Sequence, residues 1–267
     1  TVEGAKVVCE VVSALVKGEI GTAVTLRVRH AESGETEDIT ITRAAIDVES
    51  VIGFHLPGTN GLVYVSIYDF NTHTNKEFLS VMNALAVTGE IRGLIIDLRS
   101  NGGGSVASSV ALASYFVPDD EVVMWQKTKY GMVPTYAKST VKYDLPVAIL
   151  QNSYTASASE IFIGALRDHQ LAVTVGTQSY GKGITQLIYQ LAGGDALRFT
   201  ETKYYTPSQY DLHETGIPPV VPSESAAGFI IDVHNPNPAE DNQLFKAIEV
   251  LNDYESYQAE LTVLNPQ

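Results

Sequence analysis

Residues 93–104 read GLIIDLRSNGGG, an apolar run followed at once by a polar, glycine-rich loop. A short continuous apolar run bounded by turn residues is typical of a strand that is buried on both faces. Comparable strand patterns cover Leu62–Ile67, Pro146–Leu150 and Leu171–Val175, and helical patterns between them cover Asn75–Leu85, Val106–Phe116 and Ser157–Asp168. Strands that alternate with helices in this way predict an α/β fold with crossover connections and a mostly parallel sheet.

The composition is that of an acidic globular protein. The chain has 267 residues, of which 45% are hydrophobic, and a formal net charge of −14. This length predicts one or two domains. Nucleic acids and anionic membrane surfaces both require a basic face on the protein, so the charge argues against either partner and favours a cationic or neutral one.

The single Cys9 excludes an internal disulfide framework and a metal site built from several cysteines. We expect it to be a plain buried thiol. No run approaches the roughly 18 apolar residues that span a bilayer, and the N-terminus lacks the basic and then apolar profile of a signal peptide. The chain starts directly in a helical pattern over Val7–Val16, which suggests a start inside a domain.

The first 45 residues differ in pattern from the rest. The helix over 7–16 is followed by two strand patterns, Ala23–Arg29 and Glu37–Thr42, around a polar turn. So short a piece buries too little surface to fold alone. We therefore divide the chain into residues 1–45 and residues 46–267, the latter ending in an amphipathic helix over Asp241–Leu251.

Three loops follow predicted strands of the sheet, namely Arg99–Gly104, Asn152–Ala156 and Gly176–Gly183. In a crossover sheet the chemistry gathers beyond the carboxyl ends of the strands, so these loops form the candidate site. Three consecutive glycines allow a backbone to approach a ligand closely with its amides. A plain turn between a strand and a helix is the alternative explanation for the glycines.

Ser157 is the candidate nucleophile because it stands at the first turn of a predicted helix. The Ala158 amide, reinforced by the helix dipole, could stabilise an oxyanion there together with a donor from the glycine loop. The competing interpretation is an N-cap serine, since Glu160 three residues later completes a capping-box pattern. Taken alone, Ser157 favours the N-cap interpretation.

Lys182 is the candidate base, and two alternatives compete for it. The loop Gly176–Gly183 is close to a phosphate-binding pattern, but Gly183 stands where a hydroxyl is needed and Ile184–Tyr189 looks like a strand rather than a helix. A solvated surface lysine is the other alternative. Because a lysine is a base only after losing its proton, we expect Lys182 to be buried among apolar walls, with few carboxylates nearby.

The histidines offer no rival site. The sequence has no Gly-x-Ser-x-Gly elbow and no pair of histidines at the helical spacing of metal ligands. We expect His169, at a helix end beside Asp168, to act as a C-terminal cap, and His213 to shape a loop.

Six stretches together look like one family, the C-terminal processing peptidases, also called tail-specific proteases. They are 94–104 (LIIDLRSNGGG), 155–161 (TASASEI), 165–169 (ALRDH), 176–186 (GTQSYGKGITQ), 203–207 (KYYTP) and 213–218 (HETGIP). The resemblance runs from about residue 2 to residue 251 with the motifs in order. One departure is Gly102, where the family more often has proline; glycine is expected to loosen this loop and could blur the oxyanion hole.

The resemblance implies a serine endopeptidase that cuts protein substrates near an accessible C-terminus. Position by position, Ser157 matches the nucleophile, Lys182 the general base and Gln186 the residue that orients the lysine. The amides of Ala158 and of Gly103, or its neighbour Gly104, match the oxyanion hole. The resemblance implies no metal and no organic cofactor, and it leaves a homo-oligomer open.

The fold implied is the ClpP/crotonase-like crossover sheet, preceded by the C-terminal half of a PDZ domain in residues 1–45. The first half of that domain and an export signal are expected to be missing from this chain. A bacterial, extracytoplasmic location is implied: periplasm, cell surface or secreted. Two other functions stay open, namely an inactive peptide-binding module on the same scaffold and a crotonase-like acyl-thioester enzyme, although neither needs Ser157, Lys182 and Gln186 together.

Overall fold

The computed structural model describes residues 15–30, 33–44, 49–190 and 195–261. The chain divides into two compact units, Thr1–Val48 and Glu49–Gln267. Cys9 and most of the predicted helix over 7–16 lie outside the described residues. In the smaller unit, β1 (Ala23–Arg29) pairs antiparallel with β2 (Thr36–Thr42), which confirms the predicted hairpin.

The larger unit alternates strands and helices over most of its length. In chain order its elements are β3 (Val51–His55), β4 (Leu62–Ile67), α1 (Thr74–Thr88), β5 (Gly93–Asp97), α2 (Val106–Ala113), β6 (Val122–Thr128), β7 (Gly131–Tyr136), β8 (Val147–Gln151), α3 (Ala158–Asp168), β9 (Val173–Gly176), β10 (Ile184–Gln190), β11 (Ala196–Tyr205), β12 (Val221–Pro222), α4 (Asn242–Asn252) and α5 (Tyr254–Ala259). None of the described helices combines the length and the apolar character that crossing a bilayer requires.

The main sheet has six strands in the order β12-β9-β8-β5-β4-β3. The pairs from β12 to β4 are parallel, and β3 joins the edge in antiparallel orientation. The predicted crossover sheet is confirmed. Helix α1 connects β4 to β5, and α3 connects β8 to β9, so the loops after β5, β8 and β9 open at the same edge of the sheet.

Both faces of the main sheet are buried, which explains why its strands are apolar without alternation. Along β5, Leu94 and Ile96 belong to the core beneath the first three helices, which also contains Phe78 and Phe162. The intervening Ile95 faces a second core that includes residues of α4. Neighbouring residues of a strand point to opposite faces, and here each face has its own helical layer.

A second sheet has four antiparallel strands in the order β10-β11-β6-β7. The sequence predicted only β10 of these strands. The helix predicted over Val106–Phe116 ends at Ala113, and α3 begins at Ala158, with Ser157 as its N-cap. The last difference matters because it puts Ser157 outside the regular helix.

Candidate active site

Ser157 stands between the loop after β8 and the first turn of α3, with a backbone conformation of φ 61° and ψ −120°. The N-caps of α2 and α4, Ser105 and Asp241, are extended instead, and their side chains accept amide hydrogen bonds from the helix. Residues that carry a side chain rarely adopt the positive φ found at Ser157, which is typical of glycine in tight turns. Strained backbones of this kind cluster at active sites, so Ser157 departs from an ordinary N-cap.

Gly103 lies directly against Ser157. A Cβ built on Gly103 would stand 2.7 Å from the Ser157 Cβ, 2.7 Å from the Ala156 carbonyl oxygen and 2.8 Å from the Ala158 nitrogen. Its φ of 105° also requires glycine. The structure therefore brings together the glycine loop, Ser157 and Ala158, although they come from different parts of the chain.

The amides of this region differ in what they bind. The Gly103 N–H donates to Asn101 Oδ1 at 2.8 Å. Within the described part of the chain, the N–H groups of Ala158 and Gly104 donate to no protein acceptor. Ala158 is the first residue of α3, where amides lack partners inside the helix. Of the two glycines that the sequence proposes as donors, Gly104 has the unoccupied amide.

Asn101 joins the glycine loop to the loop after β8, and no local sequence pattern predicted this role. The side-chain Nδ2 of Asn101 donates to the Ile67 carbonyl at 2.7 Å. Its backbone carbonyl accepts the Ala156 N–H at 3.0 Å and the Ser159 hydroxyl at 3.1 Å. The side chain is 1% exposed. A buried amide with all these groups paired holds the glycine loop in register with the start of α3.

Lys182 follows β9 in the loop that also contains Gly181, and its side chain is exposed. The expectation of burial among apolar walls is therefore wrong for this conformation. The inner side of the loop is filled by backbone instead: a Cβ on Gly181 would stand 2.7 Å from the Gly216 nitrogen. Among the described residues, no hydrogen bond joins the Lys182 amine to the Ser157 hydroxyl.

The backbone of Lys182 is held on both sides. Its N–H donates to Glu160 Oε2 at 2.8 Å, and its carbonyl accepts the hydroxyl of Tyr204. The expectation of few carboxylates near Lys182 stays a prediction, because Glu160 contacts its backbone N–H and not its amine. These contacts restrain the backbone of Lys182 and leave its side chain able to rotate.

Tyr204 contributes a third group to the site. It is 1% exposed, and its own N–H donates to the Gly183 carbonyl at 2.9 Å. Burial raises the pKa of Tyr204 above its ordinary value, while a hydrogen bond with the Ser157 side chain opposes that rise. The hydroxyl therefore lies near both Ser157 and Lys182. Tyr204 belongs to the KYYTP stretch, to which the sequence assigned no role.

Glu160 is fully buried in the first turn of α3. Its Oε2 accepts the Ser157 N–H at 2.9 Å, so the glutamate half of the predicted capping box is present. Burial raises the pKa of Glu160 above its ordinary value, and its hydrogen bonds oppose the rise. The sequence identified the cap but not the further contacts of this carboxylate.

The other predicted residues have mixed outcomes. Gln186 lies in β10 with its backbone opposite Thr200, and its side chain lies outside what the structure describes. His169 caps α3 as predicted, with Nε2 at 2.8 Å from the Val122 carbonyl oxygen. His213 packs on the loop after β9 that contains Lys182, because a Cβ on Gly183 would stand 3.0 Å from the His213 Cβ.

A buried ionic cluster anchors the start of the glycine loop. The Arg99 guanidinium lies 2.6 Å from Asp97 Oδ2 and 2.7 Å from Asp241 Oδ2, and the three side chains are 1%, 1% and 5% exposed. The Tyr64 hydroxyl donates to Asp97 at 2.7 Å. Sequence reasoning missed this cluster, because Asp241 is far from Arg99 along the chain.

Known proteins resemble this chain over most of its length. The sequence model of Peptidase family S41 matches residues 61–223. The carboxyl-terminal-processing protease of Synechocystis sp. is 31% identical over 210 residues, which cover 78% of this chain and 49% of that protein. The carboxyl-terminal-processing peptidase 1, chloroplastic, of Arabidopsis thaliana is 32% identical over 217 residues, covering 78% and 43%. The chain thus spans about half the length of these relatives.

A solved structure agrees with the sequence matches. The photosystem II D1 C-terminal processing protease superposes with a TM-score of 0.62 at 25% identity, covering 92% of this chain and 63% of that one. By family model, by sequence relatives and by fold, the chain belongs to peptidase family S41.

Proposed function

We propose that this chain is the catalytic part of a serine endopeptidase that cleaves protein substrates near their C-termini by acyl transfer. The observation that carries the proposal is Ser157 itself, held at positive φ at the start of α3 with Gly103 packed on its Cβ. A serine displayed on a strained turn between a strand and a helix is also found as the nucleophile of α/β-hydrolases. Family membership supports the reaction class.

In the proposed mechanism the Lys182 amine turns inward and accepts the proton of the Ser157 hydroxyl. The serine oxygen attacks the peptide carbonyl carbon, and the proton passes to the leaving amine as the C–N bond breaks. Water then attacks the acyl-enzyme, releases the carboxylic acid and restores the serine. Gln186 is proposed to orient the lysine. Both backbone groups of Lys182 are already held, so the inward turn is proposed to be a rotation of its side chain.

The oxyanion of each tetrahedral intermediate is proposed to accept two backbone amides. Ala158 supplies the first, supported by its unpaired N–H at the positive end of the α3 dipole. The glycine loop supplies the second. Among the residues that the structure describes, the Gly104 amide has no acceptor, whereas Gly103 would first have to leave Asn101. No metal and no organic cofactor takes part in this scheme.

The substrate and the location are inferred from the relatives. Carboxyl-terminal processing in their names supports a protein or peptide substrate with an accessible C-terminus. We further infer that residues 1–45 form the second half of a PDZ domain, which fits the antiparallel pair of β1 and β2. We propose that the protein acts on exported substrates, in the bacterial periplasm, at the cell surface or outside the cell.

The proposed function is tested with Ser157→Ala and Lys182→Ala, assayed on an unfolded protein and on a peptide. Each substitution removes one partner of the proton transfer, so each is expected to lower kcat about 10³-fold or more. Ser80→Ala and Lys76→Ala are matched controls on the exposed face of α1 and should retain activity. Undiminished cleavage by either site variant would overturn the assignment, whereas a wild type that binds peptide without cleaving it would support an inactive binding module.

A further inference from the structure

The carboxylate of Glu160 accepts four hydrogen bonds. Oε2 accepts the Ser157 N–H at 2.9 Å and the Lys182 N–H at 2.8 Å. Oε1 accepts the Gly181 N–H at 2.7 Å and the Ser179 hydroxyl at 2.5 Å. One oxygen atom therefore joins the amide of the proposed nucleophile to the amide of the proposed base.

Helix capping accounts for only one of these four bonds. A capping box needs the contact with the Ser157 N–H, whereas the other three donors come from the loop after β9. Glu77 provides a comparison, because it also lies in the first turn of a helix, α1. Within the described ranges it accepts only the N–H and the hydroxyl of Ser50, at 2.7 and 2.6 Å. Glu160 therefore holds the loop after β9 in addition to the start of α3.

The carboxylate has no cationic side chain as a partner. Among the described residues, no Lys, Arg or His forms an ion pair with Glu160, and its side chain is fully buried. Its charge is balanced by the four donors and by the positive end of the α3 dipole. A buried carboxylate that lost these donors would be strongly unfavourable, so the contacts must form together.

We propose that Glu160 is a positioning residue that fixes the backbones of Ser157 and Lys182 relative to each other. The inference rests on the proposed function, since it assigns Glu160 a role in the same reaction. Among the described residues, Glu160 binds the backbone N–H groups of Ser157 and Lys182, and no hydrogen bond joins it to their side chains. It sets the point from which the lysine side chain reaches the serine, and an error of about 1 Å in such a placement can cost about 100-fold in rate.

The test is Glu160→Gln in the full chain, with Glu77→Gln as the matched control. Glutamine keeps the shape but presents an amide NH₂ to two N–H or O–H donors, so half of the contacts are lost. We expect kcat to fall about 100-fold with KM within about twofold, and the rising limb of the pH profile of kcat/KM to shift, because the lysine is displaced. Glu77→Gln should leave kcat and the profile unchanged.

Ser179→Ala is the second variant, because it keeps the charge and removes one donor to Oε1. It should lower kcat several-fold with KM unchanged, and it decides the question if Glu160→Gln does not fold. Rates are corrected for the folded fraction, measured by near-UV circular dichroism. Equal corrected kcat values for Glu160→Gln and Glu77→Gln, or an unchanged kcat in Ser179→Ala, would overturn the inference.

The two proposals fail in different ways. If wild-type cleavage does not depend on Ser157, the proposed function is wrong. If cleavage depends on Ser157 and the Glu160 and Ser179 variants keep the wild-type kcat, only the positioning role is wrong.

Discussion

At the scale of single residues, the site depends on a fit between two backbones. Ser157 has a conformation that side chains disfavour, and Gly103 fills the space beside it where no Cβ can be placed. Each residue is therefore constrained by the other. The contact also brings the glycine loop next to the Ala158 amide.

Gly103→Ala tests this fit. The new methyl group would overlap three backbone or Cβ positions at 2.7 to 2.8 Å, and it would occupy a residue with φ of 105°. We expect a loss of stability of about 1–3 kcal/mol, measured by urea unfolding, and a loss of kcat greater than the unfolded fraction explains.

Gly102→Ala is the control for that substitution. A Cβ on Gly102 would meet nothing within 4 Å, so the variant should keep both stability and activity. Equal behaviour of the two alanine variants would show that the contact between Gly103 and Ser157 is unimportant.

Sequence reasoning identified Ser157, Ala158 and the glycine loop because strand ends and helix starts follow from local patterns. It could not predict the positive φ of Ser157, since alanines flank it and the strain is imposed by packing from another loop. It failed on Lys182 for a related reason. The exposure of that side chain depends on which groups fill the space beneath the loop, and these come from Glu160, Tyr204 and Gly216.

At the scale of elements, α4 is joined to the end of β5 by the cluster of Arg99, Asp97 and Asp241. Asp241 has two functions, since it pairs with Arg99 and also accepts the N–H groups of Gln243 and Leu244 at 3.1 Å as the N-cap of α4. The helix start and the loop that leads to Gly103 are therefore held by one side chain.

Asp241→Ala should lower the free energy of unfolding by about 3–5 kcal/mol, because it leaves the buried Arg99 charge with one anionic partner, Asp97, and removes the cap. Glu249→Ala, in the same helix, breaks the exposed pair of Lys246 and Glu249 and should cost no more than about 0.5 kcal/mol. Urea unfolding measures both. Similar losses in the two variants would contradict a structural role for the cluster.

The order of strands and helices in the main sheet followed from the sequence, whereas most of the second sheet did not. Strand β7 contains Pro134, which lacks an N–H and argues against a strand. The structure resolves this by placing β7 at the edge of the sheet, where Trp125 of β6 stands opposite the proline. Edge position is a property of the assembled sheet and has no local signature.

At the scale of the whole molecule, the net charge of −14 produces a negative field around the chain. Such a field acts on the encounter with charged ligands rather than on the fold, and salt screens it. The net charge therefore affects the association rate of charged substrates, and this effect is separate from recognition by contacts in the site.

Two peptides with the same cleavage site, one flanked by lysines and one by glutamates, test this effect. We expect kcat/KM to be about tenfold higher for the lysine peptide at low ionic strength, and the ratio to approach one near 1 M salt. A neutral peptide should lie between them and change least with salt. A ratio that does not depend on salt would assign the preference to local contacts instead.

The conformation of Ser157 lowers the stability of the folded state, whereas its hydroxyl is required for the proposed reaction. Glycine adopts φ 61° and ψ −120° readily, whereas a serine held there costs the folded state on the order of 1–3 kcal/mol. Directed evolution that selects only for a higher melting temperature should therefore be drawn to glycine at this position and discard the hydroxyl. The residue that makes the fold less stable than it could be is the one on which the proposed reaction depends.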